Sequence, residues 1–416
     1  MKENSSSILE IESLAVGGDG VGKLNGKVTF VPRSAPGDKV RVNVISEKKK
    51  MQRAKVVEIL EEGFDRRAAI CPLFGECGGC QWMHIEEVAQ RKAKRSFLKK
   101  ALGIEVPDII ASPKSIGYRR LARLRLGAAP KKILGFNAGA SSQIVDVPRC
   151  EVLEPSLNQC LAQLRTNLIP HCNRPAEIRL TGGDLNVAVS LSAQAMFEPN
   201  FYQVAQSLVP KIFSGITTDV DKLFAVVAGS ADVIVEGIDK APLITPAGSF
   251  GQANSDVNKM MGELICDWVK DGDFRSAIEL FAGAGNLTVL LAGLVKKLAA
   301  VELDDRAVKA SRRNIAFRKL RGVTVYQADA LEAYEKLGAK MDLLIMDPPR
   351  TGHAELAARI AKARHRAVIY VSCNPSTLGR DLEIMATGGY KPVKVRGFDM
   401  FPQTPHVETV VKLERD

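Results

Sequence analysis

The chain of 416 residues is long enough for two or three domains, and its 46% hydrophobic and 25% charged residues exclude a disordered or fibrous protein. It shows no secretory signal pattern and no apolar run of about 20 residues, so we expect a cytoplasmic protein without a membrane span. The net charge of +11 suits a polyanionic partner, and in the cytoplasm the eight cysteines would serve as ligands, nucleophiles or core residues rather than disulfides.

Residues 1–62 have the pattern of a small all-β unit. Asn25-Gly26 is typical of a hairpin turn, and the strict alternation from Lys39 to Val44 indicates a strand. The glycine cluster from Gly17 to Gly22 lacks the helix and the Lys-Ser/Thr pair of a nucleotide loop. We therefore predict an OB-like β-barrel, a fold that commonly binds single-stranded nucleic acid.

Residues 63–245 predict a central α+β domain, and cysteines are its main marker. The four cysteines are Cys71, Cys77, Cys80 and Cys150. Four thiolates suit either structural zinc or an iron–sulfur cluster. The short loops, Gly78-Gly79 and the lack of a second Cys-x-x-Cys pair favour a [4Fe-4S] cluster.

The same domain contains an arginine-rich segment, Tyr118 to Leu126. Read as a strand, it places Arg119, Arg123 and Arg125 on one face and apolar side chains on the other. Guanidinium groups on a solvated sheet face suit contacts with RNA phosphates. The alternative is a solvated face without a partner.

Residues 246–416 alternate between strand and helix, which predicts a parallel, Rossmann-like sheet. The predicted strands are 276–281, 298–303, 323–328, 341–346 and 367–371, followed by an antiparallel hairpin of 391–398 and 407–413. Gly283 and Gly285 permit a tight turn after the first strand. Glu302 and Asp329 end the next two strands, where they could meet a ribose and an adenine. Thr288 replaces the third glycine of a dinucleotide loop, which favours S-adenosylmethionine.

Three reactive groups each stand beside an apolar run in this last segment. They are Asp347, Cys373 and Glu408. A thiol with two carboxylates is typical of a nucleophile with acid–base support. The alternative for a lone cysteine is a small buried hydrophobic residue.

The whole chain resembles the RNA uracil-5-methyltransferases that combine a TRAM barrel, a cluster-bearing central domain and a class I methyltransferase domain. The resemblance rests on the cysteine spacing and on the segments Phe250-Gly251-Gln252-Ala253-Asn254, Gly283-Ala284-Gly285-Asn286, Asp347-Pro348-Pro349-Arg350, Ser372-Cys373-Asn374-Pro375 and His406-Val407-Glu408-Thr409. The chain departs from the family at Glu279 and Ala282, where aspartate and cysteine are usual.

This resemblance implies methylation of C5 of a uridine in RNA, with S-adenosylmethionine as cofactor, and we expect the enzyme to act as a monomer. It implies Cys373 as the nucleophile, Glu408 as the base and Arg350 as a substrate contact, with the four cysteines holding [4Fe-4S]. The implied cofactor contacts are Gln252, Phe281, Glu302 and Asp347. The positions of the glycine loop and of the third strand add Gly283, Gly285 and Asp329 to the predicted cofactor residues. The cluster cysteines make 23S rRNA a better match than transfer RNA, whose enzymes typically lack the cluster.

The residue types suit that reaction, because a thiolate added to C6 of uracil makes C5 nucleophilic and a carboxylate can then remove the C5 proton. Three other classes of protein are alternatives. An exocyclic-amine methyltransferase would use Asp347-Pro348-Pro349 but does not need Cys373. A non-catalytic RNA-binding protein does not account for the glycine loop. An iron–sulfur redox protein leaves the C-terminal half unexplained.

Overall fold

A computed structural model describes residues 6–128 and 130–415. The strands form sheets of six, seven and seven strands and one two-stranded hairpin. Within the described ranges, no helix is both long enough and apolar enough to cross a membrane.

The first sheet lies at the N-terminus. Its strands are β1 (Ser7–Glu10), β2 (Ser13–Leu14), β3 (Gly20–Leu24), β4 (Lys27–Val31), β5 (Lys39–Glu47) and β6 (Met51–Glu61), in the order β1-β5-β6-β4-β3-β2. Asn25 and Gly26 both have positive φ, at 52° and 75°, and join β3 to β4 as the predicted hairpin. Val31, Val40 and Val42 are fully buried in the core of this sheet.

Helix α1 (Glu87–Leu102) leads to the second sheet. The strands of this sheet and the helices between them are β7 (Leu121–Leu126), β8 (Leu134–Asn137), β9 (Ile144–Asp146), α2 (Pro155–Asn167), β10 (Ala176–Gly182), β11 (Val187–Ala193), α3 (Pro199–Ser207), β12 (Gly215–Val220) and β13 (Leu223–Gly229). A 3-10 turn covers Ile169–His171. The strand order is β13-β12-β11-β10-β7-β8-β9, and side chains of α2 and α3 share the sheet's hydrophobic core. The hairpin of β14 (Asp232–Glu236) and β15 (Pro242–Pro246) follows.

The third sheet has the predicted α/β alternation. Its elements are α4 (Ser255–Lys270), β16 (Ser276–Leu280), α5 (Thr288–Leu291), β17 (Lys297–Glu302), α6 (Asp305–Phe317), β18 (Val323–Gln327), α7 (Ala330–Leu337), β19 (Leu343–Met346), α8 (Ala354–Ile360), β20 (Ala367–Ser372), α9 (Pro375–Ala386), β21 (Tyr390–Phe398) and β22 (Glu408–Arg415), with a 3-10 turn at Gly338–Lys340. Helix α5 after the glycine loop has only four residues.

The strand order of this sheet is β18-β17-β16-β19-β20-β22-β21. The first five strands in that order are parallel, and β22 is antiparallel to both of its neighbours. The predicted terminal hairpin of β21 and β22 is present. Because β22 runs against β20, its first residue lies at the edge where the parallel strands end, which is where open α/β sheets bind ligands.

Candidate active site

Three neighbouring strand ends bring the predicted reactive groups together. Asp347 follows β19, which pairs with β20 through Met346 and Tyr370. Cys373 follows β20, whose last residue, Ser372, is opposite Thr409 in β22. Glu408 begins β22, and the register of the ladder therefore places it opposite Cys373, one residue beyond the pair of Ser372 and Thr409. Asp347, Cys373 and Glu408 thus share one edge of the sheet.

The loop around Cys373 is fixed by its own side chains. Asn374 caps α9 by accepting a hydrogen bond from Ser376 N at 3.1 Å, and Pro375 occupies the first turn of the helix. Asn374 Nδ2 also donates to the carbonyl of Arg350 at 3.2 Å, and Thr377 Oγ1 donates to the same oxygen at 3.1 Å. The loop that carries Cys373 and the loop after Asp347 are therefore joined.

Burial, aided at Cys373 and Glu408 by neighbouring negative charges, favours the protonated forms of all three groups. Burial raises the pKa of Glu408 well above its usual value, and the negative charge of Asp347 raises it further. Burial raises the pKa of Asp347 to about 7. The pKa of Cys373 rises to about 12, chiefly through burial and then through the charges of Glu408 and Asp347, against the opposing effect of Arg350. A positive charge entering this site would lower these pKa values.

A cavity of about 480 Å³ adjoins Asp347. Four predicted cofactor residues, Gln252, Phe281, Gly283 and Asp347, line it, and Gln252 Nε2 lies 3.4 Å from Asp347 Oδ2. Phe281 has a positive φ of 64°, an uncommon conformation for a bulky residue, at the turn where β16 ends. The cavity therefore extends from the glycine loop to the edge that carries the three reactive groups.

The other three predicted cofactor residues do not line this cavity. Glu302 accepts hydrogen bonds from the backbone amides of Gly283, Leu303 and Asp304 at 2.9, 2.7 and 2.8 Å, so it fixes the glycine loop to the end of β17. Gly285 lies in the same loop. Asp329 is exposed and caps α7 through Leu331 N and Glu332 N. The structure gives Glu302 and Asp329 structural roles, and their contact with a cofactor stays a prediction.

Comparison with known proteins shows the family. The chain is 32% identical to the 23S rRNA (uracil(1939)-C(5))-methyltransferase RlmD of Marinomonas posidonica, over 97% of this chain and 94% of the relative. The chain belongs to the RNA uracil-5-methyltransferase family. The enzyme of the same name from Mannheimia succiniciproducens is 31% identical over 98% of this chain and 95% of its own length.

Family models and a solved structure agree with this membership. Residues 243–416 of this methyltransferase match the tRNA (uracil-5-)-methyltransferase model, and residues 9–63 match a TRAM-domain model of tRNA (uracil(54)-C(5))-methyltransferase. The crystal structure of the Pyrococcus abyssi tRNA (uracil-54, C5)-methyltransferase with S-adenosyl-L-homocysteine superposes with a TM-score of 0.74. It covers 98% of this chain and 100% of its own at 24% identity, and so shows a common fold.

Three polar residues, Asn258, Glu279 and Asn286, also line the methyltransferase's large cavity, a position that was not predicted for any of them. Asn258 in α4 and Asn286 in the glycine loop donate to each other's side chains at 3.1 and 2.8 Å. Glu279, known from the sequence only as a departure from the family, accepts a 2.7 Å hydrogen bond from Thr288, and burial raises its pKa to about 8. The lining also contains an apolar side chain, that of Phe250, and this residue is 75% exposed. The pairing of Asn258 with Asn286 leaves no local signal in the sequence.

The four marker cysteines lie around a second cavity, of about 180 Å³, that Arg119 and Arg123 also line. Burial, followed by the charges of neighbouring thiols, raises the pKa of Cys80 to about 12. Burial is also the largest cause of the raised pKa values of Cys77 and Cys150. Over residues 6–128 and 130–415, no group of three or more His, Cys, Asp or Glu side chains is arranged to hold a metal ion.

Three arginines of strands β7 and β10 surround one acidic side chain, Glu177. Arg123 and Arg125 in β7 contact Glu177 at 2.6 and 2.9 Å, and Arg179, which the sequence analysis missed, contacts it at 2.9 Å. The predicted strand was wrong for Arg119, because β7 begins only at Leu121. Arg119 instead donates to the carbonyl of Leu121 at 2.9 Å and lies over the ring of Phe401.

Proposed function

We propose that this enzyme transfers a methyl group from S-adenosylmethionine to C5 of a uridine in 23S rRNA, through a covalent bond between Cys373 and C6. The observation that carries the proposal is the register of β20 and β22, which sets Glu408 opposite Cys373 beside the cavity that Asp347 lines. The rRNA substrate is proposed because the long, full-length relatives act, by name, on 23S rRNA.

The large cavity suits a cofactor that carries a positive charge. Bound there, S-adenosylmethionine would supply the methyl group and the charge of its sulfonium. Glu279 and Asp347 line the cavity, and their raised pKa values mean that a neighbouring cation would stabilise their ionised forms. Gln252, Phe281 and Gly283 would contact the cofactor directly. Gly285 shapes the turn, and Glu302 and Asp329 lie at the ends of β17 and β18, where a ribose and an adenine would be met.

Cys373 begins the reaction by adding its thiolate to C6 of the target uracil. The thiol must first lose its proton, which burial and the nearby carboxylates oppose in the free protein. A positive charge near Asp347 and the Arg350 guanidinium both favour the thiolate. Addition makes C5 nucleophilic, so that it can accept the methyl group.

Glu408 completes the reaction as the base. After methylation it accepts the proton from C5, the C5–H electrons form the C5–C6 double bond, and the C6–S bond breaks to return the thiolate of Cys373. A carboxylate with a raised pKa is a stronger base than a solvated one, and Glu408 is only 4% exposed.

RNA contacts surround this edge. The target base must leave its stack to reach Cys373, and the exposed Arg350 would steady it or its phosphate. Arg119, Arg123 and Arg125 would contact the RNA backbone, and the N-terminal sheet would act as an RNA-binding barrel. The enzyme would work as a cytoplasmic monomer.

The cysteine cavity supports a further part of the proposal, a [4Fe-4S] cluster on Cys71, Cys77, Cys80 and Cys150. The four thiols face one cavity, and cluster irons would offset the mutual repulsion of their thiolates. Each thiolate of a cluster binds a different iron atom, so its cysteines are spaced more widely than the ligands of a single ion.

Anaerobic reconstitution of the protein tests this part of the proposal. It should give four iron atoms per chain and broad visible absorption, which Cys80→Ser should lose and Cys172→Ser should keep. A colourless protein that takes up zinc would contradict the cluster.

The methylation itself is tested with RNA that carries 5-fluorouridine, since fluorine at C5 cannot be removed as a proton. The native enzyme should form a covalent RNA adduct that survives denaturing electrophoresis, and Cys373→Ala should form none while still binding S-adenosylmethionine. If Cys373→Ala retained methylation, the assignment of Cys373 as the nucleophile would be wrong. Transcripts of 23S rRNA domains and of transfer RNA, compared in the same assay, decide the substrate class.

A further inference from the structure

Hydrogen bonds from other parts of the chain hold residues 399–403, the first five residues of the segment that leads from β21 to Glu408. Asp399 pairs with the buried Lys94 of α1, whose Nζ also donates to the carbonyl of Phe401 at 3.1 Å. The carbonyl of Pro402 accepts a 3.2 Å hydrogen bond from the hydroxyl of Tyr118. This approach to the base is therefore fixed from outside the methyltransferase sheet.

Gln403 is the centre of these contacts. Its side chain is buried, with 1% of the residue exposed, and its φ of +68° is uncommon for a residue other than glycine. Its carbonyl accepts hydrogen bonds from the amides of Gln81 and Trp82, at 3.1 and 3.0 Å. Those two residues directly follow Cys80, so the main chain of Gln403 is bound to the cysteine segment.

The side chain of Gln403 makes a second set of bonds to the same region. Its Oε1 accepts from Arg67 Nη2 at 2.9 Å and from Gln90 Nε2 at 3.0 Å, and its Nε2 donates to the carbonyl of Ser115 at 3.3 Å. Gln90 also accepts the backbone N–H of Gln403 at 2.9 Å. All four polar atoms of Gln403 are thus bound to residues 67–115 of the chain.

From this arrangement we infer that Gln403 is a positioning residue, which fixes the loop before Glu408 to the segment after Cys80 and so holds the base against the C5 proton. The inference rests on the proposed role of Glu408. Gln403 is five residues before Glu408 and does not reach the reacting atoms. Its loss should therefore slow the removal of the C5 proton without slowing the addition of Cys373.

The test uses the full-length enzyme with ordinary uridine RNA and measures the covalent protein–RNA adduct during turnover. Gln403→Gly keeps the left-handed backbone without strain and removes only the side-chain bonds. We expect kcat to fall about tenfold, KM for RNA to change less than twofold and the adduct to accumulate. Asparagine tolerates positive φ and carries a shorter amide, so Gln403→Asn should give an intermediate effect. This variant replaces Gln403→Gly in the test if the glycine variant fails to fold. Lys319→Gly is the matched control, at an exposed residue with φ of 53°.

The outcomes separate this inference from the proposed mechanism. Glu408→Gln is measured in parallel and should accumulate the most adduct. If it does and neither Gln403 variant does, Gln403 does not position the base and the inference is wrong. A rise in KM for RNA with unchanged kcat would equally overturn it, since it would indicate a role in RNA binding. If Glu408→Gln accumulates no adduct, the assignment of the base fails and this inference fails with it.

Discussion

Replacing Lys94 with methionine would remove a buried cation and leave its partner without a counter-charge. The Lys94 side chain is 0% exposed and that of Asp399 is 3% exposed. Burial is the largest influence on the Lys94 ammonium and lowers its pKa, and the charge of Asp399 acts in the opposite direction. An unpaired buried charge costs about 3–5 kcal/mol, so Lys94→Met should lower the free energy of unfolding by that order.

Urea unfolding followed by tryptophan fluorescence measures this loss, because Trp82 lies 5.9 Å from Lys94 Nζ and reports on the same region. The double variant Lys94→Met with Asp399→Asn should recover part of the stability, since no buried charge remains. Lys270→Met is the control. Lys270 and its partner Asp267 are 58% and 69% exposed, and breaking such a pair costs less than about 1 kcal/mol. A loss for Lys94→Met no larger than that of the control would refute the reasoning.

Three further predictions concern pH and RNA. The rate of methylation should rise with pH through the neutral range, because Cys373 and Glu408 both have raised pKa values and must each lose a proton to react. A flat pH–rate profile from pH 6 to 9 would contradict this. Burial tends to raise the pKa of Asp38, but its hydrogen bonds to Arg66 and to backbone amides lower the pKa below the usual value. The contribution of Asp38 to stability is therefore present above the ordinary aspartate pKa and is lost as the pH falls through the lowered value. Thermal unfolding between pH 2 and 6 should show a smaller acid loss in Asp38→Asn than in the native protein, and equal losses would exclude Asp38 as the cause. Glu177→Gln should weaken the ion pairs that fix Arg123, Arg125 and Arg179, and should raise KM for RNA severalfold while kcat stays within twofold. The surface variant Glu335→Gln is the control, and an unchanged KM in Glu177→Gln would argue against RNA contact at these arginines.

The sequence predicted those parts of the molecule that depend on local patterns. The alternating strands and helices of residues 276–371 were read from their apolar runs, and Cys373 was placed at a strand end by the run before it. The same patterns do not show which strand lies beside β20. The predicted terminal hairpin is present, but only the structure shows that β22, rather than β21, pairs with β20 and brings Glu408 to Cys373.

Contacts between distant segments could not be predicted. Gln90 and Gln403 are 313 residues apart in the chain, and nothing in either local sequence indicates their bond. The strand containing Arg119 was predicted from alternation alone. In the structure Arg119 forms isolated bridges to Leu153 and Asn254, so tertiary contacts rather than the local pattern determine where β7 begins.

The pairing of β20 with β22 makes the spacing between Cys373 and Glu408, the proposed nucleophile and base, a property of the main chain. Adjacent residues of a strand are about 3.4 Å apart and face opposite sides of the sheet. A slip of one residue would therefore move Glu408 by that distance and turn its carboxylate away from Cys373. Deleting one residue from this strand should be more damaging than most substitutions within it, and attempts to change the RNA specificity should leave this ladder intact and alter the loops around it.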